Sequence, residues 1–222
     1  MELLDILGHE LSDKILRAYS YNRNQIELIA KELQPCQKVL DLCIGFGNLA
    51  KVLAEQGKAV YGVDIRKDSL EYAKRKVNST KLYLVRGDAR QLPIIESSFD
   101  GASCASSFSF YDQDLEQASN EVYRALKDGG LFALTGMEMR THFIQGGEQM
   151  IRDVEKSYRR GELTTDDMIR ATSFDPLQIT PDGAVDCSER TKEALEKAGF
   201  RIKKLKHFND GVGYFILVEK CS

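Results

Sequence analysis

Apolar positions along the first half of the chain follow two alternating rhythms. Short continuous runs read as buried strands, and stretches with apolar residues three and four apart read as helices. The runs are Lys38 to Leu42 (KVLDL), Ala59 to Val63 (AVYGV), Leu82 to Val85 (LYLV), the less apolar Phe99 to Cys104 (FDGASC), and LFALTG after the Gly129-Gly130 turn. Ile26, Ile29, Ala30 and Leu33 lie at helical spacing behind a cap at Asn22-Arg23-Asn24, and Pro35 stops that helix. Asn48 to Gln56 forms a second helix, closed by Gly57. Asp68 to Val77 places Leu70, Ala73 and Val77 on one face, and Leu115 to Leu126 places Leu115, Ala118, Val122, Ala125 and Leu126 inward. Such alternation predicts right-handed crossovers and a doubly wound α/β domain with a mostly parallel sheet.

The rhythm breaks between Met137 and Asp186. Helices are expected near Gly147–Arg160 and Thr164–Ala171, with turns at Asp175-Pro176 and Pro181-Asp182-Gly183. A helix over Ser188–Ala198 follows, then RIKKLKHF and VGYFILVEK, joined at Asn209-Asp210-Gly211 as an antiparallel hairpin. Five parallel runs and this hairpin predict seven strands. The expected organisation is a single domain over 1–222, with a helical cover at 1–34 and an insertion at 137–186 that roofs the site as a substrate lid.

Composition narrows the classes. With 222 residues, 42% hydrophobic and 29% charged, the chain builds a large core without staples and is not a disordered segment. A net charge of −3 lacks the basic excess of a nucleic-acid binder. The alternating charges of Arg201-Ile202-Lys203-Lys204-Leu205-Lys206 read as a solvated sheet face. Five cysteines, Cys36, Cys43, Cys104, Cys187 and Cys221, form no C-x-x-C pair, so neither a disulfide framework nor a metal site is expected. Reduced thiols, no signal-peptide pattern and no apolar run of bilayer length predict a cytoplasmic protein with no membrane partner.

The candidate chemistry lies at strand ends, where open α/β sheets bind ligands. VLDLCIGFGNLA carries G-x-G-x-x-A from Gly45 through Gly47 to Ala50, and Asp64 follows Gly45 by 19 residues. That spacing suits a dinucleotide as well as other adenosine cofactors. Asp41, just before the glycines, would repel a pyrophosphate and suits a cofactor with a cationic end. Asp88, in GDARQLP, can accept from an adenine amino group while the N–H of Ala89 donates to a ring nitrogen.

In order and spacing, VLDLCIGFGNLA, VYGVDI, GDARQLPIIESSFD and LKDGGLFAL resemble the class I S-adenosylmethionine-dependent methyltransferases, over about Lys38 to Leu134 plus the closing hairpin. The resemblance implies a Rossmann-like sheet and S-adenosyl-L-methionine as cofactor. It implies that Asp41, Cys43, Gly45 and Gly47 shape the turn under the methionine part, and that Asp64 holds the ribose hydroxyls. Ile65 would pack on the adenine, with Asp88 and Ala89 reading its edge. Ser106 would lie beside the methionine and methyl group, and Tyr21 would cover the cofactor. Two departures stand out. Cys43 occupies the family's first glycine position, tolerable if the residue stays extended, and Asp128 replaces a common proline.

The implied reaction moves a methyl group to an O, N or C atom of a small-molecule acceptor. No catalytic residue is named by a motif; His142, Glu138 and Tyr111 are candidates by location, while His9 and His207 read as structural or exposed. Ser106-Ser107-Phe108-Ser109-Phe110 lacks the prolines of base-amino methyltransferases, which makes a nucleic-acid acceptor the poorer expectation. Two alternatives stay open: a non-catalytic cofactor-binding partner subunit, kept alive by Cys43, and a nicotinamide-dependent oxidoreductase, opposed by Asp41 and Asp88.

Overall fold

A computed structural model describes residues 8–108, 114–138, 140–172 and 187–221. The elements run α1 (His9–Ala18), α2 (Ser20–Glu32), β1 (Lys38–Leu42), α3 (Asn48–Glu55), β2 (Ala59–Asp64), α4 (Lys67–Val77), β3 (Leu82–Arg86), β4 (Phe99–Ala105), α5 (Leu115–Ala125) and β5 (Leu126–Met137). They continue with α6 (Arg140–Arg159), α7 (Thr165–Thr172), α8 (Cys187–Lys197), β6 (Phe200–Phe208) and β7 (Gly213–Lys220). The strands form one 7-stranded sheet in the order β3-β2-β1-β4-β5-β7-β6. β1 to β5 pair in parallel, and β7 inserts antiparallel between β5 and β6. This is the doubly wound, Rossmann-like sheet with a C-terminal hairpin that the alternating pattern predicts.

The apolar runs are continuous because helices cover both sheet faces. Leu40, Leu42, Cys104 and Phe132 pack on one face with Val122 of α5 and Leu195 of α8. Val39, Val60 and Ala133 pack on the other with Ile29 of α2, Leu53 of α3 and Ala73 of α4. A third cluster joins Leu11 and Ile15 of α1 to Met150 and Val154 of α6 and Ala171 of α7. The N-terminal helices and the insertion therefore share one helical layer.

Three boundaries differ from the sequence reading, each for a tertiary reason. α2 starts at Ser20, ahead of the asparagines, because an Asp153 carboxylate oxygen from α6 accepts the Ser20 N–H at 2.9 Å. The cap comes from a distant helix. α6 starts at Arg140 and runs through Gly146-Gly147, where about 1 kcal/mol per glycine yields to burial of Met150 and Val154. β5 begins at Leu126, and Gly129-Gly130 lies inside it at a register shift. At the sheet edge, Arg201 and Lys203 of β6 reach Glu219 at 2.5 and 3.0 Å, the solvated face expected there. Among the described residues no helix is long and apolar enough to cross a membrane.

Candidate active site

Strand order reverses between β1 and β4, so their carboxyl ends flank a crevice. A non-glycine residue with positive φ follows or terminates each of these strands: Cys43 at φ 53 after β1 and Ser106 at φ 64 after β4. Such a conformation costs roughly 1–3 kcal/mol and is concentrated at functional sites. Cys43 is thus not extended, as the sequence reading required, but takes the left-handed conformation of the glycine it replaces. Its thiol hydrogen-bonds that of Cys104, and this bond, with burial second, pushes the Cys104 thiol well up. Both cysteines pack into one apolar cluster, so they serve the core.

The two glycines of the turn do different work. A Cβ on Gly45, at φ 53, would meet only the Cys43 carbonyl oxygen at 3.8 Å, so its backbone opens onto the crevice. A Cβ on Gly47, at φ 70, would strike Val77 Cγ2 at 2.9 Å and Ala73 Cβ at 3.2 Å. Gly47 lets the start of α3 press against α4.

Asp41, next to last in β1, is almost fully buried, 2% exposed. Its Oδ1 accepts the Ser103 hydroxyl at 2.7 Å from the neighbouring strand, where the register pairs the two residues. Burial pushes the carboxyl up to about 7, the Ser103 bond opposes this, and the charge of Asp64 adds to it. Asp64 ends β2, its Oδ2 accepting the Gly45 N–H and its Oδ1 the Arg66 N–H, both at 2.9 Å. An ionised carboxylate has about four lone-pair positions, so two hydroxyls can still donate to it. Ile65 follows, 58% exposed, an apolar surface beside the crevice. Asp88 is gripped by Arg90, whose guanidinium Nη2 donates to Oδ2 at 2.6 Å and whose backbone N–H donates to Oδ1 at 2.9 Å. This grip holds the Asp88 carboxyl below the usual range. Ala89 is buried.

At the other lip, the Ser106 N–H donates to the Thr135 carbonyl at 3.1 Å and its hydroxyl donates to Gln25 Oε1 at 2.6 Å. Tyr21 lies within α2, not before it, and is buried. Its ring stacks on Phe208 at 5.1 Å, its hydroxyl donates to the Gly136 carbonyl at 2.9 Å, and Ser106 Oγ lies 3.3 Å from that hydroxyl. The structure therefore puts Asp41, Cys43, Gly45 and Asp64 on one lip of the crevice and Ser106 with Tyr21 on the other. Arg90, Ser103 and Gln25 were missed. Only Ser103 left a trace, as a polar residue inside an apolar strand.

Of the residues named by location, Glu138 is buried and accepts from Ser188 N–H at 3.3 Å, with His207 Nε2 at 2.8 Å. It is tied to α8 and the hairpin. The position of Tyr111 lies outside the described residues, as does the side chain of His142. His9 stacks on Tyr72 with ring centroids 5.7 Å apart, its Nε2 3.3 Å from Asp68 Oδ2. Phe108, in the run that follows β4, is fully buried against Phe132. Among the described residues no cluster of His, Cys, Asp and Glu fits a metal ion.

The geometry tests the cofactor classes. A dinucleotide pyrophosphate needs free N–H groups on the turn. Here the Gly45 N–H is taken by Asp64, and a second carboxyl lies behind it. Two carboxyl groups at the turn disfavour an anion there.

A doubly wound sheet with an antiparallel penultimate strand and an acidic glycine turn defines an α/β cofactor-binding domain of the methyltransferase type. The model of the methyltransferase domain family matches residues 40–134. An uncharacterized methyltransferase of Synechocystis sp. is 33% identical over 122 residues, 54% of this chain and 57% of that protein. The demethylmenaquinone methyltransferase of Staphylococcus haemolyticus is 27% identical over 183 residues, 79% of this chain and 73% of that protein. In fold, a TehB-like S-adenosylmethionine-dependent methyltransferase from Corynebacterium glutamicum superposes with a TM-score of 0.60 at 18% identity, covering 88% of this chain and 86% of that one. Over residues 40–134 the chain carries the methyltransferase domain of the class I S-adenosylmethionine-dependent methyltransferases.

Proposed function

We propose that this protein transfers a methyl group from S-adenosyl-L-methionine to an O, N or C atom of a small-molecule acceptor. The observation that carries the reading is the acidic turn: Asp64 occupies the Gly45 N–H at 2.9 Å, with Asp41 buried behind it. When bound, the cofactor supplies an electrophilic methyl on a cationic sulfur. Asp64 has lone pairs left for the ribose hydroxyls, Ile65 offers an apolar face to the adenine, and Asp88 with Ala89 meets its polar edge. Arg90 competes for Asp88, so the adenine amino group shares that carboxylate rather than owning it. Ser106 closes the methionine end.

The donor is already activated, so the chain's main task is alignment of donor and acceptor. Orientation alone contributes roughly 7–11 kcal/mol. The layer of α1, α2, α6 and α7 supports the reading of 1–34 as a cover and 137–186 as a lid over the acceptor. The Staphylococcus relative is named for a small acceptor, demethylmenaquinone, which favours a small and partly apolar acceptor here.

Thermal unfolding with S-adenosylhomocysteine and with a nicotinamide dinucleotide tests the reading. A ligand at ~100 times its dissociation constant adds about 2.7 kcal/mol, raising the midpoint by roughly 5–10 °C for a domain of this size. A shift with S-adenosylhomocysteine alone is expected. No shift with saturating S-adenosylhomocysteine would overturn the proposal.

A further inference from the structure

A chain of buried amides joins the N-terminal helices to the β4 lip of the crevice, and its polarity can be worked out by counting protons. Asn22 Nδ2 donates to the Leu16 carbonyl at 2.9 Å. A backbone carbonyl only accepts, so Asn22 must present its Oδ1 on the other side. Gln25 Nε2 donates to that Oδ1, which turns Gln25 Oε1 toward the sheet. Two hydroxyls converge on Oε1: Ser106 at 2.6 Å and Thr135 at 2.7 Å. The Tyr21 hydroxyl has a single proton, and it goes to the Gly136 carbonyl at 2.9 Å. Gln25 is 2% exposed, so water does not compete for these bonds.

The consequence falls on Ser106. Its one hydroxyl proton goes to Gln25 at 2.6 Å, much the shorter of its two contacts, the other being the Tyr21 hydroxyl at 3.3 Å, and its lone pairs are left to receive. It is partly exposed at the crevice, at φ 64, its N–H also bound to Thr135. Held this way, Ser106 is an acceptor and not a donor, suited to an ammonium group and unsuited to a carboxylate. We infer that Gln25 is a positioning residue that fixes the Ser106 hydroxyl as a hydrogen-bond acceptor for the amino group of the cofactor's amino-acid part. The inference rests on the cofactor reading above. No motif marks Gln25, because its role depends on Leu16, Asn22 and β4 together.

Two ligands separate this role from a structural one. S-adenosylhomocysteine carries the amino-acid part, and methylthioadenosine carries the same adenosine and sulfur without it. Titration calorimetry would compare wild type, Gln25→Met, Ser106→Ala and the double variant, with circular dichroism to confirm folding. Gln25→Met should weaken S-adenosylhomocysteine about tenfold or more, the scale of a lost hydrogen bond to a charged group. Methylthioadenosine should change by less than about twofold. Ser106→Ala should reproduce the loss, and the double variant should add little to it, because the two act as one unit. Equal weakening of both ligands by Gln25→Met would reduce Gln25 to a packing residue and overturn the inference. Unchanged binding of S-adenosylhomocysteine in either variant would overturn it too. If Gln25→Met fails to fold, Ser106→Ala carries the test alone. Wild type that binds neither ligand would instead remove the cofactor reading, and this inference with it.

Discussion

Replacing Asp41 by asparagine should make the unliganded protein more stable at neutral pH while weakening its cofactor. Burial is the leading cause that lifts this carboxyl from 3.8 to about 7. In the unfolded chain it returns to the ordinary value, so between these limits the folded state holds a proton that the unfolded state has lost. Stability from Asp41 is thus fully present below pH 4 and is lost as pH rises through about 7. At roughly 1.4 kcal/mol per pH unit, ionising Asp41 inside the fold costs about 4 kcal/mol. Asparagine keeps an oxygen for the Ser103 hydroxyl, which donates at 2.7 Å, and never ionises. Denaturant unfolding of both proteins at pH 4.5 and 7.5 gives the test. Other groups titrate alike in the two chains, so the stability gap should grow by about 3 kcal/mol in favour of Asp41→Asn over that interval. A cationic ligand favours the ionised carboxylate, so the same variant should bind S-adenosylmethionine more weakly at pH 8. Parallel pH dependences for the two proteins would show that Asp41 ionises cheaply in the fold, and would refute the account of it as a charge held ready for a cation.

Further outcomes follow from the same turn and its surroundings. Asp64→Ala should fold and yet lose the midpoint shift with S-adenosylhomocysteine; a retained shift would displace Asp64 from the ribose. Gly45→Ala and Gly47→Ala should separate binding from stability. The first adds a methyl to open space at the crevice, so cofactor affinity falls while unfolding changes by about 1 kcal/mol, the cost of positive φ. The second meets Val77 at 2.9 Å as well, so it should cost clearly more in denaturant unfolding. Asp13, 2% exposed, receives Lys76 and lies 3.3 Å from Arg17. Asp13→Ala leaves the half-buried Lys76 ammonium with the neutral Asn48 Oδ1 in place of a carboxylate and should cost about 3 kcal/mol by the same unfolding assay.

The fold was legible because its signals are local. Each buried strand is a short apolar run, each crossover helix shows its own period, and Asn209-Asp210-Gly211 names its hairpin with three consecutive positive φ values. The acids Asp41, Asp64 and Asp88 were legible for the same reason, since a strand end fixes where a following carboxylate lies. What failed was non-local. The cap of α2 comes from Asp153, 133 residues away, and two glycines inside α6 yield to contacts with α1. Cys43 failed differently. Its strain in the left-handed region was the visible risk, but the thiol of Cys104 that receives it lies on β4, invisible from the motif.

The same distinction explains how the crevice is built. Its β1 lip is written as one contiguous motif, so it can be recognised in a chain that shares little else with its relatives. Its β4 lip is assembled from Ser106, Thr135 and Gln25, drawn from the turn after β4, from β5 and from α2, with 110 residues separating Gln25 from Thr135. A contiguous turn suits the part of the cofactor common to a whole family. A lip assembled from distant residues adjusts with the helices that cover it, so the N-terminal layer and the β4 lip are mechanically one object. Changes in α2 should therefore be felt first at Ser106, before they reach Asp64.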